Sequence, residues 1–180
     1  MSHRLFIAIR PPSPIRDVLI DLMEGIDNAR WQDDEQLHLT LRYIGEIDAH
    51  TANDLSEALS RIRVEPFQLA VSGVGTFERK GTPHTLWAGI GKSEPLKALQ
   101  QKVERACIAA GIAPETRKFS PHITLARLNG SAGPIAPFLA RNDDLALGPW
   151  EVNDFELCES HLRPQGSLYE TVVTYPCEGA

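Results

Sequence analysis

Two short units in the chain could do acid–base chemistry, His38-Leu-Thr-Leu41 and His122-Ile-Thr-Leu125. They begin 84 positions apart and share one pattern: His, an aliphatic residue, Thr, Leu. On a β-strand alternate side chains point to the same face, so the His and Thr of each unit stand together, about 7 Å apart. The aliphatic residues between and after them turn to the other face, toward a core. Imidazole is the side chain whose unperturbed pKa, about 6.5, lies near neutral pH. Two imidazoles facing across a phosphorus can act in line. One takes a proton from an attacking water and the other gives a proton to the departing oxygen. The two hydroxyls can donate hydrogen bonds to the non-bridging oxygens, where charge develops. The arrangement requires no metal. One His-x-Thr alone is a weak signal, because a Thr-rich amphipathic strand with a half-exposed His is the ordinary source of one. Two copies in the same register carry the weight. Their near-symmetry does not say which imidazole is the acid and which the base.

The elements that must hold these units follow in chain order. Arg4–Ile9 is a short apolar strand ended by Pro11-Pro12. Ser13-Pro14 opens a helix, with Ser13 as N-cap and Ile15, Val18, Leu19 and Leu22 inward. Residues 28–36 are polar and form a loop. Leu37–Ile44 is the strand of the first unit, ended by Gly45. A helix over 51–62 and a strand over 67–77, bent near Gly73 and Gly75, come next. After a turn-rich connection at 78–83, Thr85–Ile90 repeats the character of Arg4–Ile9. A long helix runs from Ser93 to Gly111, with Leu96, Leu99, Val103, Cys107 and Ile108 inward. The second unit lies on a strand over 122–128. A short helix over 133–141 and strands over 150–159 and 169–175 complete the chain.

That order repeats: strand, helix, His-x-Thr strand, helix, long strand. The expectation is one domain over 1–180, built as a duplicated fold with lobes at 4–77 and 85–160 and a C-terminal strand at 169–175. The class is α+β, with two antiparallel sheets facing a central cleft and helices outside. A pseudo-two-fold would set His38 opposite His122.

Composition narrows the classes further. With 180 residues, 42% hydrophobic and 23% charged, the chain is an ordinary globular domain. A net charge of −6 argues against a broad, non-specific nucleic-acid binder, though a small positive cleft fits on an acidic body. Cys107, Cys158 and Cys177 have no paired spacing and suit free thiols in a reducing cytoplasm. No stretch approaches the roughly 20 apolar residues of a membrane span. No group of His, Cys and acidic residues has zinc-like spacing, so no metal is expected. There is no glycine-rich phosphate loop.

The chain resembles the two-histidine (2H) phosphoesterase superfamily. Within it the chain looks most like bacterial RNA 2',3'-cyclic phosphodiesterases, also described as 2'-5' RNA ligases. The likeness rests on Arg4-Leu-Phe-Ile-Ala-Ile9, Leu37-His-Leu-Thr-Leu-Arg-Tyr-Ile-Gly-Glu46, Thr85-Leu-Trp-Ala-Gly89, Phe119-Ser-Pro-His-Ile-Thr-Leu-Ala-Arg127 and Ser160-His-Leu-Arg-Pro-Gln-Gly-Ser-Leu-Tyr-Glu170. It therefore runs nearly end to end. It implies metal- and cofactor-independent opening of 2',3'-cyclic phosphates on RNA ends or nucleotides, tRNA halves among them. It also implies a 2'-phosphomonoester product and a reverse reaction that joins ends without ATP. By the same resemblance His38 is the proton donor, His122 the proton acceptor, and Thr40 and Thr124 hold the phosphoryl oxygens. The protein is expected to be a cytoplasmic monomer.

Other residues have two readings each. Arg42 shares the face of His38 and Thr40 under strict alternation, as a phosphate contact or a solvated rim residue. Arg127 matches an Arg of the family's second motif, yet strict alternation sets it opposite His122, so the strand must bulge or the side chain reach round its end. Ser160, Gly166 and Tyr169 match the family's C-terminal pattern and shape the loop beside the cleft. Phe6, Trp87 and Tyr169 either stack on a base or pack in the core. His3, His50, His84 and His161 have no partner at motif spacing and read as surface residues, His161 being the one nearest the expected cleft. Two rivals stay open: a phosphodiesterase of the same superfamily acting on another ester, such as a 2'-5' oligonucleotide or cyclic ADP-ribose phosphate, and an RNA-binding module without turnover.

Overall fold

In the computed structural model, which describes residues 1–179, strand β1 (Ser2–Ile9) is buried continuously from Leu5 to Ile9. It stops where Pro11 and Pro12 remove two backbone donors. Helix α1 (Ser13–Asp21) follows, with Ile15 and Leu19 buried. Its cap is Pro12, which makes no side-chain bond, so Ser13 is the first helical residue and not the expected N-cap. Strand β2 (Arg30–Trp31) and a 3-10 turn (Asp34–Gln36) occupy the segment expected as plain loop. Strand β3 (Leu39–Asp48) carries the first motif onward. It runs through Gly45, which takes φ +82° inside the strand and does not end it.

Helix α2 (Ala49–Ser60), strands β4 (Phe67–Arg79) and β5 (Thr82–Ile90), and helix α3 (Glu94–Ala109) come next. Ser93 caps α3 by accepting from the Leu96 amide at 3.2 Å. Its buried face includes Ala106, whereas Ile108, expected inward, is 46% exposed. Strand β6 (His122–Arg127) and helix α4 (Ala136–Arg141) lead to β7 (Ala146–Val152), β8 (Asp154–Arg163) and β9 (Gly166–Pro176). The strand expected over 150–159 is thus two strands, parted at Asn153.

All pairings are antiparallel, in the order β7-β4-β5-β6-β3-β1-β8-β9, with β2 on β6. The path has two four-stranded halves, β7-β4-β5-β6 and β3-β1-β8-β9. One register pair, Leu39 with Ile123, joins them. The α+β class is as the sequence led us to expect. Sheet membership does not follow chain order, however. Strand β4 leaves the first motif strand to pair with β5 and β7, and β8 returns to pair with β1. The helices cover one face of both halves. There Leu19, Leu55, Leu59, Leu99, Val103 and Phe138 meet Ile7, Leu39, Leu86, Ile123 and Leu125 in one core. The other face carries a small apolar cluster of Phe6, Ala8 and Cys158 with Tyr169 against it. Among the described residues no helix is long and apolar enough to cross a membrane.

Candidate active site

The pair that joins the two halves also places the motifs. Leu39 and Ile123 each follow a motif histidine, and they face one another in antiparallel register. Continuing that register sets His38 beside Thr124 and Thr40 beside His122. The two histidines therefore lie on one diagonal of the same face, a spacing of about 7–8 Å between diagonal neighbours in an ideal ladder. A cleft of about 630 Å³ opens on that face. His38, Thr40, His122, Thr124, Arg127, Ser160 and Tyr169 all line it. His38 itself precedes β3 by one residue and does not lie in the strand. The 3-10 turn holds it there. Asp33 and Gln36 close a reciprocal capping box, and Gln36 Nε2 donates to the Ser167 carbonyl at 2.8 Å, tying the turn to β9.

Both motif strands carry a β-bulge at the Leu after Thr. In β3 the pairing with β1 skips Leu41, and in β6 the pairing with β5 skips Leu125. An unpaired residue shifts the inward–outward phase by one. Arg127 is thereby returned to the face of His122 and Thr124. Its Nη1 donates to Thr85 Oγ1 at 3.1 Å, and Thr85 is its register partner. The same bulge sends Arg42 to the other face, contrary to the strict alternation assumed from sequence. Arg42 is 7% exposed, and its guanidinium donates to Glu104 Oε1 of α3 at 3.0 Å and to the Tyr43 and Ala113 carbonyls at 2.7 and 2.6 Å. A fork committed in this way binds the sheet to α3 and the following connector. It is therefore no solvated rim residue, and Arg42 also borders the cleft.

The two imidazoles stand in different surroundings. His122 Nδ1 lies 2.7 Å from the Ser120 carbonyl. A carbonyl only accepts, so Nδ1 carries the proton and Nε2 keeps a lone pair. Burial, and to a lesser degree the Arg127 cation, hold His122 below its ordinary pKa, while the Ser120 bond works the other way. Phe77 presents an edge-to-face contact to His122 at 4.8 Å. His38 is packed edge-on against Phe6 and Tyr169, each at 5.8 Å, and its Nδ1 is buried without a partner among the described residues. Its Nε2 lies 3.8 Å from Glu156 Oε2. The Glu156 carboxylate is held below its ordinary value, first by His38. So His38 has an anionic neighbour, whereas the charge near His122 is the Arg127 cation.

Phe6 is buried against His38, and the Trp87 ring lies 6.5 Å from that of His122, its indole N–H buried without a partner among the described residues. Ser160 and Tyr169 are register partners across β8 and β9, and Gly166 at φ +125° makes the hairpin turn that brings them together. Burial also raises the Tyr169 phenol. His161, which seemed nearest the cleft, is off it and 3.8 Å from Glu170. His84, read as a surface residue, lines the cleft, with Nδ1 2.8 Å from Thr85 Oγ1. Phe77 and Glu156 escape a reading of the sequence because no local pattern marks them. Arg79 and Lys118 add positive charge to the rim of a chain whose net charge is −6, while Arg117 there is paired with Glu115 at 3.2 Å.

Comparison with known proteins adds a second line. The family described as LigT-like phosphoesterase matches the chain twice, over residues 9–87 and 90–169. A protein of Aeropyrum pernix named RNA 2',3'-cyclic phosphodiesterase is 36% identical, covering 78% of this chain and 81% of its own. A protein of the same name from Thermotoga maritima is 31% identical over 97% of this chain and 95% of its own. The crystal structure of TT0787 of Thermus thermophilus superposes with a TM-score of 0.82 at 27% identity, covering 98% of each chain.

Proposed function

The chain belongs to the LigT-like phosphoesterases, and from that premise we propose that it hydrolyses 2',3'-cyclic phosphates on RNA ends or nucleotides, with His122 as proton acceptor and His38 as proton donor. The observation that carries the assignment is the asymmetry of the two imidazoles. His122 has its Nε2 lone pair free to take a proton, fixed by the Ser120 carbonyl on Nδ1. His38 has the Glu156 carboxylate 3.8 Å from its Nε2, an anionic neighbour where His122 has the Arg127 cation. Water attacks the phosphorus as Nε2 of His122 removes its proton. The bond to the 3' oxygen breaks, and His38 protonates that oxygen. A 2'-phosphomonoester and a free 3'-hydroxyl remain. Run backwards with a 5'-hydroxyl in place of water, the same steps form a 2'-5' linkage without ATP. The RNA ends we propose as substrates include tRNA halves, acted on by a cytoplasmic monomer.

The relatives named RNA 2',3'-cyclic phosphodiesterase support this reading. Phosphorus NMR of the product from 2',3'-cyclic AMP tests it. The expected product is the 2'-phosphate. A 3'-phosphate would mean that the substrate lies the other way round in the cleft, and no turnover on cyclic ends would dismiss the proposal.

Thr40 and Thr124 hold the non-bridging oxygens in this reading. Both line the cleft half-buried, and neither hydroxyl is bonded to another described residue. A hydrogen bond to a charged group is worth about 1.5–3 kcal/mol. Thr40→Ala and Thr124→Ala are therefore each expected to lower kcat/KM by roughly ten- to hundred-fold. An unchanged kcat/KM in either variant would take that hydroxyl off the phosphate.

A further inference from the structure

Glu156 and Cys158 stand two residues apart on one face of β8, and the 3-10 turn brings His38 against them. Glu156 Oε2 lies 3.8 Å from His38 Nε2 and 3.6 Å from Cys158 Sγ, and one ligand-type atom from each residue falls within 4.8 Å of the others. His38 is 8% exposed; among the described residues its Nδ1 is buried without a hydrogen-bond partner, and its Nε2 faces Glu156 Oε2 at 3.8 Å. We propose that His38, Glu156 and Cys158 form a binding site for one borderline-soft divalent cation of the zinc type, and that its occupancy stops the reaction by engaging His38.

Imidazole nitrogen, thiolate sulfur and carboxylate oxygen are the donors zinc takes, at about 2.0–2.3 Å. Around a tetrahedral ion such donors sit roughly 3.3–3.8 Å apart. The two measured separations from Glu156 already match. Thr171 Oγ1 donates to the same Glu156 oxygen at 3.3 Å and helps fix the carboxylate. A cavity of about 280 Å³, bordered by Arg10, Glu35, Cys158, Tyr169 and Thr171 as well as His38, opens beside the cluster, so water can complete the coordination. Arg10 is the opposing charge there. Its guanidinium is spent on the Glu35 and Leu37 carbonyls and on Asp34.

Burial pushes the Cys158 thiol up to about 12, which leaves it neutral and inert in the free protein. A coordinated metal deprotonates a thiol outright. The S–H bond breaks as the S–metal bond forms, and the proton passes to the buffer. No oxidation or reduction is involved. The inhibitory half of the proposal rests on His38 serving in the reaction proposed above: an Nε2 lone pair given to a metal cannot carry the proton for the leaving oxygen.

Cobalt(II) added to the full-length chain stripped with EDTA reports on the site without any substrate. We expect one cobalt per chain, with a thiolate-to-cobalt absorption band that zinc removes. Cys158→Ser should lose the band and bind at least about ten-fold more weakly. If that variant fails to fold, Glu156→Gln should weaken cobalt binding in the same way. On 2',3'-cyclic AMP, zinc should inhibit the wild type at least about ten-fold more strongly than Cys158→Ser, with EDTA restoring the wild-type rate. Absence of the band in the wild type, or unchanged affinity in both variants, overturns the site. A band accompanied by full activity overturns the inhibitory half. A band in a chain that hydrolyses no cyclic phosphate, even after EDTA, supports the cation site and counts against the proposed function instead.

Discussion

Replacing His122 with alanine should lower kcat/KM on 2',3'-cyclic AMP by about 10²–10⁴-fold, the usual size of an acid–base contribution. The residual activity should have lost its acidic limb. The argument is one of sign. A base works only when neutral. Burial holds His122 below its ordinary value, so the neutral form persists to lower pH than for a free imidazole. The wild-type acidic limb should therefore lie below about pH 6.5. Arg127→Gln removes a cation that also depresses His122, and the limb should move up in that variant. Both histidines serve one phosphate, so the apparent values of the wild-type bell belong to the pair. The single variant resolves them. An acidic limb that survives in His122→Ala, or full activity, would remove His122 from the reaction.

The motifs are legible because their signal is local. His, Thr and the aliphatic residues between them occupy four consecutive positions, and the two-residue period of a strand sorts them onto two faces without reference to anything distant. The period fails at Leu41 and Leu125. Nothing in either motif marks a bulge there, since it is created by the register against β1 and β5. That one-residue shift explains why strict alternation misplaces both arginines, in opposite senses. Arg42 goes to the helix-covered face, where Glu104 of α3 meets it, and Arg127 comes to the cleft.

The strand exchange is hidden for a related reason. Composition identifies 67–77 as a strand, but its partners are β5 and β7, one adjacent in sequence and one far along it. Glu156 is the clearest case of a site residue that no pattern reveals. It lies on β8, which the crossover sets beside β1, and only that pairing brings it to His38. Its neighbour Cys158 is a free thiol, as its unpaired spacing suggests, yet its company with His38 and Glu156 is a property of the sheet order. Zinc-like spacing is a pattern along the chain, whereas these three ligand-type groups converge across it.

His38→Ala should be the mirror image of the base variant, with a loss of about 10²–10⁴-fold in kcat/KM and a flattened basic limb. A donor must hold its proton until the 3' oxygen departs. Raising the pH strips that proton in the wild type, and the variant has none to lose. Rate loss alone would not separate the two roles, because both histidines contribute on the same scale. A p-nitrophenyl phosphodiester that fits the cleft does separate them. Its leaving group departs as a stable anion and needs no proton, while the attacking water still needs a base. The substrate should therefore restore much of the rate to His38→Ala and little to His122→Ala. The surroundings favour this outcome: Glu156 stands 3.8 Å from His38, and the Ser120 carbonyl holds Nδ1 of His122 and so leaves the lone pair on Nε2. Rescue of His122→Ala in place of His38→Ala would exchange the two roles, and full activity in His38→Ala would discard the paired mechanism.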